Sequence, residues 1–279
     1  MALVAALART QQFWWFILHV LSVLFYAVYQ LRSIFGLAAL ALAYYRYCLV
    51  MVITTYFIVL VQQKLKRGVK QLVANTNFQY FTLAAVFYLA SLVIGPVNGA
   101  LFSYMIFLVF HIISYFQRHL VDFIGTLPQQ QQLSSRVGAW LEENQPRGQI
   151  MAATAELFLV MTLLNPIVVM PIVFVNLVAG RWQVGLAYLL CFAALVVFLK
   201  LRWNESPYTK QVVSMYDAKI GLFVQRFPPV ANFYYKVRDT VVKVLAPITV
   251  TVPKRSPREQ VQDSLRDAST RGTTLGTSR

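Results

Sequence analysis

Two ionisable residues interrupt long apolar runs in this chain: Arg46, between Ile34 and Val61, and Glu156, between Ile150 and Ala179. A charge inside hydrocarbon is costly, so such residues mark an ion or proton path, a buried pair or an interfacial anchor. Arg46 stands 18 residues before Lys64, about 27 Å along a helix, close to the full thickness of a hydrocarbon core of about 30 Å. Flanked by Tyr44, Tyr45 and Tyr47, it suits an anchor that snorkels to the far headgroups, with a buried functional cation as the alternative. Glu156 lies about two turns beyond Arg147 and so belongs shallow on the opposite, cytosolic side. It reads as a protonated or hydrogen-bonded packing residue, with a proton or ion site as the sharper alternative. At these depths the two should not pair. Together they would be the working groups of a small transporter or channel.

Other chemistry is missing. His19, His111 and His119 share no metal-ligand spacing, and the sequence holds no HExxH, no GxSxG and no glycine-rich phosphate loop. Cys48 and Cys191 both sit in apolar runs as small hydrophobes, with no pairing or metal pattern. These residues predict no enzyme, no metal and no cofactor.

The elements that must carry Arg46 and Glu156 are membrane helices. Of the 279 residues, 58% are hydrophobic and 13% charged, with a mean hydropathy of +0.58; a soluble domain has about 25% charged residues. Six apolar segments follow in three pairs: Phe13–Leu31 and Ile34–Val61, Phe78–Gly95 and Val97–Phe116, Ile150–Ala179 and Val184–Leu199. Each approaches or exceeds the roughly 20 residues that span a bilayer. Pro166 and Pro171 should kink the fifth. The expected fold is all-α: a polytopic integral membrane protein of four to six transmembrane helices plus cytosolic amphipathic helices. Residues 1–200 would form the membrane domain, 201–250 the amphipathic helices and 251–279 a disordered basic tail.

Loop charges set the orientation. Lys64, Lys66, Arg67 and Lys70 follow the second segment, and Arg118, Arg136 and Arg147 the fourth; the opposite connections offer only Arg32 and Arg181. Positive-inside counting puts both termini in the cytosol with an even number of crossings, six or, with one shallow hairpin, four. The chain carries a net charge of +15; from Lys200 onward 14 basic and 6 acidic residues leave +8. Such a segment beside a span suits anionic cytosolic headgroups. No nucleic-acid signature accompanies it.

The cytosolic parts hold amphipathic patterns. Leu133, Val137, Trp140 and Leu141 make a short apolar face. Val212, Val213, Tyr216, Ile220, Phe223, Val224 and Phe227 recur at helical spacing until Pro228 and Pro229 interrupt. A second face follows with Val230, Phe233, Tyr234, Val237, Val241, Val244, Leu245 and Ile248, while Lys236 and Lys243 lie on the other side. Two such helices directly after a span point to interfacial membrane binding, with packing on the protein's own core as the alternative. From Lys254 to Arg279 apolar residues nearly vanish and disorder is expected. The cluster Lys254-Arg255-Ser256-Pro257-Arg258 within it reads first as a solvated tail, then as a phosphorylation site or a ligand for a transport receptor.

In order and spacing the chain resembles the transmembrane protein 33 family, including its fungal pore-membrane protein 33 branch, from about Leu31 to Ile248. The resemblance rests on Gly36-Leu37 through Tyr45-Arg46, Phe78 to Pro96, Leu108 to Tyr115 with His111, Ala155-Glu156-Leu157-Phe158, Arg202…Asn204…Pro207-Tyr208 and Leu245-Ala246-Pro247. It implies a non-enzymatic protein of the endoplasmic reticulum membrane and nuclear envelope, linked to nuclear pore complex assembly or distribution and to membrane organisation. It also implies reticulon-type proteins, nucleoporins and a nuclear import receptor as partners.

Overall fold

The first two apolar segments fold as α1 (Gln11–Ile34) and α2 (Ala38–Gln62) in the structure, a computed structural model that describes residues 9–63, 69–163 and 166–249. Thr10 starts α1, its hydroxyl accepting from the Phe13 N–H at 3.3 Å. Gly36 turns the chain back with φ +73°, a left-handed conformation that glycine adopts without steric cost. The short α3 (Val69–Val73) leads to α4 (Thr76–Ile94), capped by Asn75. α5 (Phe102–Tyr115) runs on through a π turn, Phe116–Leu120, and a 3-10 turn, Val121–Phe123.

Next comes α6 (Leu127–Leu163), a helix of 37 residues, about 55 Å long. The sequence separates a short cytosolic amphipathic element from a fifth span. The structure joins them in one helix that continues past Pro146. Its first half packs on the end of α5: Trp140 stacks on Phe110 at 5.8 Å, and the Gln117 amide donates to the Ser134 carbonyl at 3.0 Å. Gly148 permits the approach, because a Cβ there would sit 2.3 Å from the Phe110 ring. The rest of the fifth segment is α7 (Pro166–Val178), with Pro171 inside it; Asn165 lies outside the described residues. α7 packs on α8 (Trp182–Glu205).

Five described helical stretches are long and apolar enough to cross a membrane: α1, α2, α4, α5 with its continuation to Phe123, and α8. This is an all-α polytopic membrane protein, with no strand among the described residues. α4 sits at the centre between α2 and α8. Small side chains bring these helices close: Cys48, Ala84, Ala90, Ser91 and Cys191 are all buried. On the outside, Phe57, Leu89, Leu92, Phe174 and Leu190 are exposed, as a lipid-facing surface requires.

After α8, Ser206 accepts from the Thr209 N–H at 3.3 Å and Pro207 opens α9 (Pro207–Val224). Pro228 and Pro229 then open α10 (Pro228–Leu245). The basic sequence from Lys254 to Arg279 lies outside the described residues.

Candidate membrane-binding site

The apolar face of α9 is divided along its length. Near the start it belongs to the protein: Thr209 and Val212 are buried, and the Tyr216 ring meets Phe158 of α6 edge-on at 5.7 Å. Ile220 is half-buried. At the far end Phe223 and Phe227 are exposed, with their rings 6.3 Å apart. The sequence leaves membrane contact and self-packing open for the whole helix. Self-packing accounts for the first half, and the far half is left exposed.

α10 is divided around its circumference. At about 100° per residue, Ala231, Tyr234, Tyr235 and Arg238 fall on one side and meet α9. Ala231 is buried, the Tyr234 hydroxyl donates to Asp217 Oδ1 at 2.6 Å, and Arg238 lies 3.6 Å from Asp217 Oδ2. Tyr234, included among the membrane-binding residues by spacing, thus ties α10 to α9. Burial, and then the bond to Asp217, push its hydroxyl up to about 12. Val230, Phe233, Val237, Val241 and Val244 form the neighbouring stripe, and all five are exposed. Phe233 is 69% exposed, as part of a contiguous apolar strip rather than a lone surface residue. Lys236 and Lys243, both exposed, run along one border of that stripe. An apolar strip with a lysine edge, held outward by polar contacts on the other side, fits an interfacial helix.

Arg46 and Glu156, the two charges of the apolar runs, lie apart. Arg46 of α2 donates from Nη2 to the Ser91 carbonyl at 2.6 Å and from Nε to the Ser91 hydroxyl at 3.3 Å. Beside it the Tyr45 hydroxyl accepts from the Val97 N–H at 3.3 Å. Glu156 of α6 is buried and accepts a hydrogen bond from the Tyr80 hydroxyl. Its other oxygen faces Arg202 Nε at 3.9 Å, an ion-pair distance too long for a hydrogen bond. Neither of those two atoms has a hydrogen-bond partner among the described residues. The Arg202 guanidinium also lies 5.5 Å from the centre of the Tyr80 ring. One turn on, Glu205 accepts from Gln79 at 3.1 Å and from Thr76 at 3.3 Å. These groups cluster at the start of α4 and the end of α8, the end where the loops are basic.

Arg202 was not singled out as the partner of Glu156. The signal was in the sequence: a buried carboxylate needs compensation, and Arg202 stands three residues past the sixth apolar segment, at the same depth. Among the described residues no group of three or more His, Cys, Asp or Glu side chains could hold a metal ion.

No solved structure matches the chain. A curated relative from Saccharomyces cerevisiae, "Pore and endoplasmic reticulum protein of 33 kDa", is 26% identical over 237 residues, covering 79% of this chain and 84% of the relative. The family model described as "Transmembrane protein 33/Nucleoporin POM33" matches residues 2–247, from ahead of α1 to beyond the end of α10. With helices, buried charges and tail hairpin all inside that match, the chain belongs to the transmembrane protein 33/nucleoporin POM33 family.

Proposed function

We propose that this protein is a non-enzymatic membrane-shaping scaffold of the endoplasmic reticulum and nuclear envelope that contributes to nuclear pore complex assembly or distribution. The yeast relative's name, which joins pore and endoplasmic reticulum, supports the location. The exposed stripe of α10 carries the mechanism. Complete burial of a Val or Phe side chain contributes about 1.5–3 kcal/mol, and interfacial burial recovers part of that. Five such side chains, with Lys236 and Lys243 adding about 1 kcal/mol each near anionic lipid, favour a helix lying in the cytosolic leaflet. Phe223 and Phe227 extend the apolar surface onto α9. A wedge in one leaflet favours curved membrane, as at pore rims and tubules. Reticulon-type proteins, nucleoporins and an import receptor are the partners this reading implies.

The transporter alternative draws less support. Arg46 and Glu156 are each bonded to neighbouring helices and lie at opposite ends of α4, so they form no continuous path.

The test is flotation of a 208–250 fragment with small anionic liposomes. The wild-type fragment is expected to float and a Phe233→Asp, Val241→Asp double variant to stay in solution. A fragment that ignores liposomes, with a full-length double variant that unfolds, would assign α10 to the protein core.

A further inference from the structure

At the end of the bundle where the loops are basic, α1, α2, α5 and α6 surround a cavity of about 650 Å³, within the range of small-molecule sites. Its walls differ in chemistry. Trp15, Val59, Phe107 and Phe110 make an apolar surface. His111 also lines it and is exposed, with its ring 5.2 Å from that of Trp15. Toward the loops the lining becomes polar: Arg118, Glu142 and the amides of Gln12, Gln62, Gln145 and Gln149. Tyr115 lines the cavity too. It is 5% exposed, and its hydroxyl has no hydrogen-bond partner among the described residues. Trp15 Nε1 is buried in the same state. Six buried side-chain polar atoms lack partners among the described residues, and two of them belong to residues that line this cavity.

We propose that this cavity binds the headgroup of a phospholipid of the cytosolic leaflet that carries one phosphodiester and a polyhydroxyl ring, the phosphatidylinositol class. Five glutamines line it; Gln117 donates to Ser134, and the other four amides offer donors and acceptors together, which suits neighbouring hydroxyls. Arg118 supplies the planar, bidentate cation that a phosphodiester takes. Glu142 balances that charge and accepts from a hydroxyl, which disfavours headgroups bearing several phosphates. The passage from amides to aromatic rings follows the passage from headgroup to glycerol and acyl chain, so the lipid is favoured over the free headgroup. Gly138 and Gly148 are part of the lining and keep α6 at its distance from α5. The site shares the cytosolic orientation of the scaffold reading but not the α10 wedge; the Phe233→Asp, Val241→Asp variant leaves it intact, so the two can fail separately.

The test is native mass spectrometry of the full-length protein in mild detergent, with phosphatidylinositol, phosphatidylserine or phosphatidylinositol 4,5-bisphosphate added in turn, and soluble glycerophosphoinositol as competitor. One phosphatidylinositol per protein is expected to be retained in preference to the other two lipids, with little competition from the soluble headgroup. Arg118→Gln removes a charge-assisted contact and is expected to weaken retention about tenfold. Gln145→Phe, which fills an exposed position on the polar wall, is expected to do the same. Arg136→Gln, outside the cavity, is expected to leave it unchanged. Equal retention of phosphatidylserine, stronger retention of the bisphosphate, an unaffected Arg118→Gln variant or full competition by glycerophosphoinositol would each overturn the proposal. If Gln145→Phe lowers the unfolding temperature, the Arg118→Gln result decides.

Discussion

Arg46 and Glu156 are tied to the same helix eleven residues apart: Arg46 bonds Ser91 near the end of α4, and Glu156 accepts from Tyr80 near its start. That separation is about 16 Å along the helix axis. Each charge therefore fixes a different end of the bundle. Arg46 ties α2 to α4, where Tyr45 also meets the α4–α5 turn through Val97. Glu156 joins α6 to α4 and, through Arg202, to α8. α4 takes part in both, which suits its place between α2 and α8.

The Glu156–Arg202 pair is buried on both sides, so removing one member leaves the other charge without compensation. Arg202→Met is expected to cost about 3–5 kcal/mol of stability, read as thermal unfolding in detergent. Adding Glu156→Gln, which keeps an acceptor for Tyr80 and removes the stranded charge, is expected to recover at least half of the loss. A double variant no more stable than Arg202→Met would mean that the two charges do not act as a pair.

Glycosylation mapping tests the orientation. With both termini in the cytosol, acceptor sites on adequate spacers at Gly99 and Gly180 should be modified, and one at Lys66 should not. Modification at Lys66 reverses the orientation. A silent Gly99 site alone would turn α4 and α5 into a shallow hairpin.

The tail hairpin has its own pH signature. Tyr234 in the folded hairpin titrates near 12, raised by burial and by Asp217, against about 10 for an unfolded tyrosine. A raised folded value means that its contribution to docking α10 on α9 is complete below about pH 10 and is lost as pH climbs toward 12. Difference absorbance of tyrosinate between the wild type and Tyr234→Phe should show one late-titrating group. A group titrating near pH 10 would mean that the Tyr234–Asp217 bond does not form in solution.

Much of this was legible in the sequence because membrane burial writes long apolar runs. The first four segments appear as α1, α2, α4 and α5 with boundaries displaced by a few residues, except that the helix after Pro96 begins only at Phe102. The fifth was harder, because apolarity alone does not say whether a helix ends where the membrane does. α6 runs through Pro146 from a polar half into an apolar one, and composition changes there while the backbone does not. The tail faces were legible as helical periodicity, but periodicity cannot say what covers a face. Val212 and Phe223 share one face of α9; α6 lies beside the first and leaves the second bare. Tyr234 sits at the edge of the apolar stripe of α10, and only the position of Asp217 turns it toward α9.

The membrane wedge is tested most directly by the depth of α10 in the intact protein. Single environment-sensitive fluorophores at Phe233, Val237, Val241 and Val244, and at Asn232 and Asp239 as controls, would be compared in full-length protein reconstituted into small anionic liposomes. With α10 lying in the leaflet, the first four emit blue-shifted light and are quenched by lipid-borne quenchers, while the two controls are reached only by aqueous quenchers. Emission from all six positions that is equally aqueous, with α9 and α10 still docked, would contradict it.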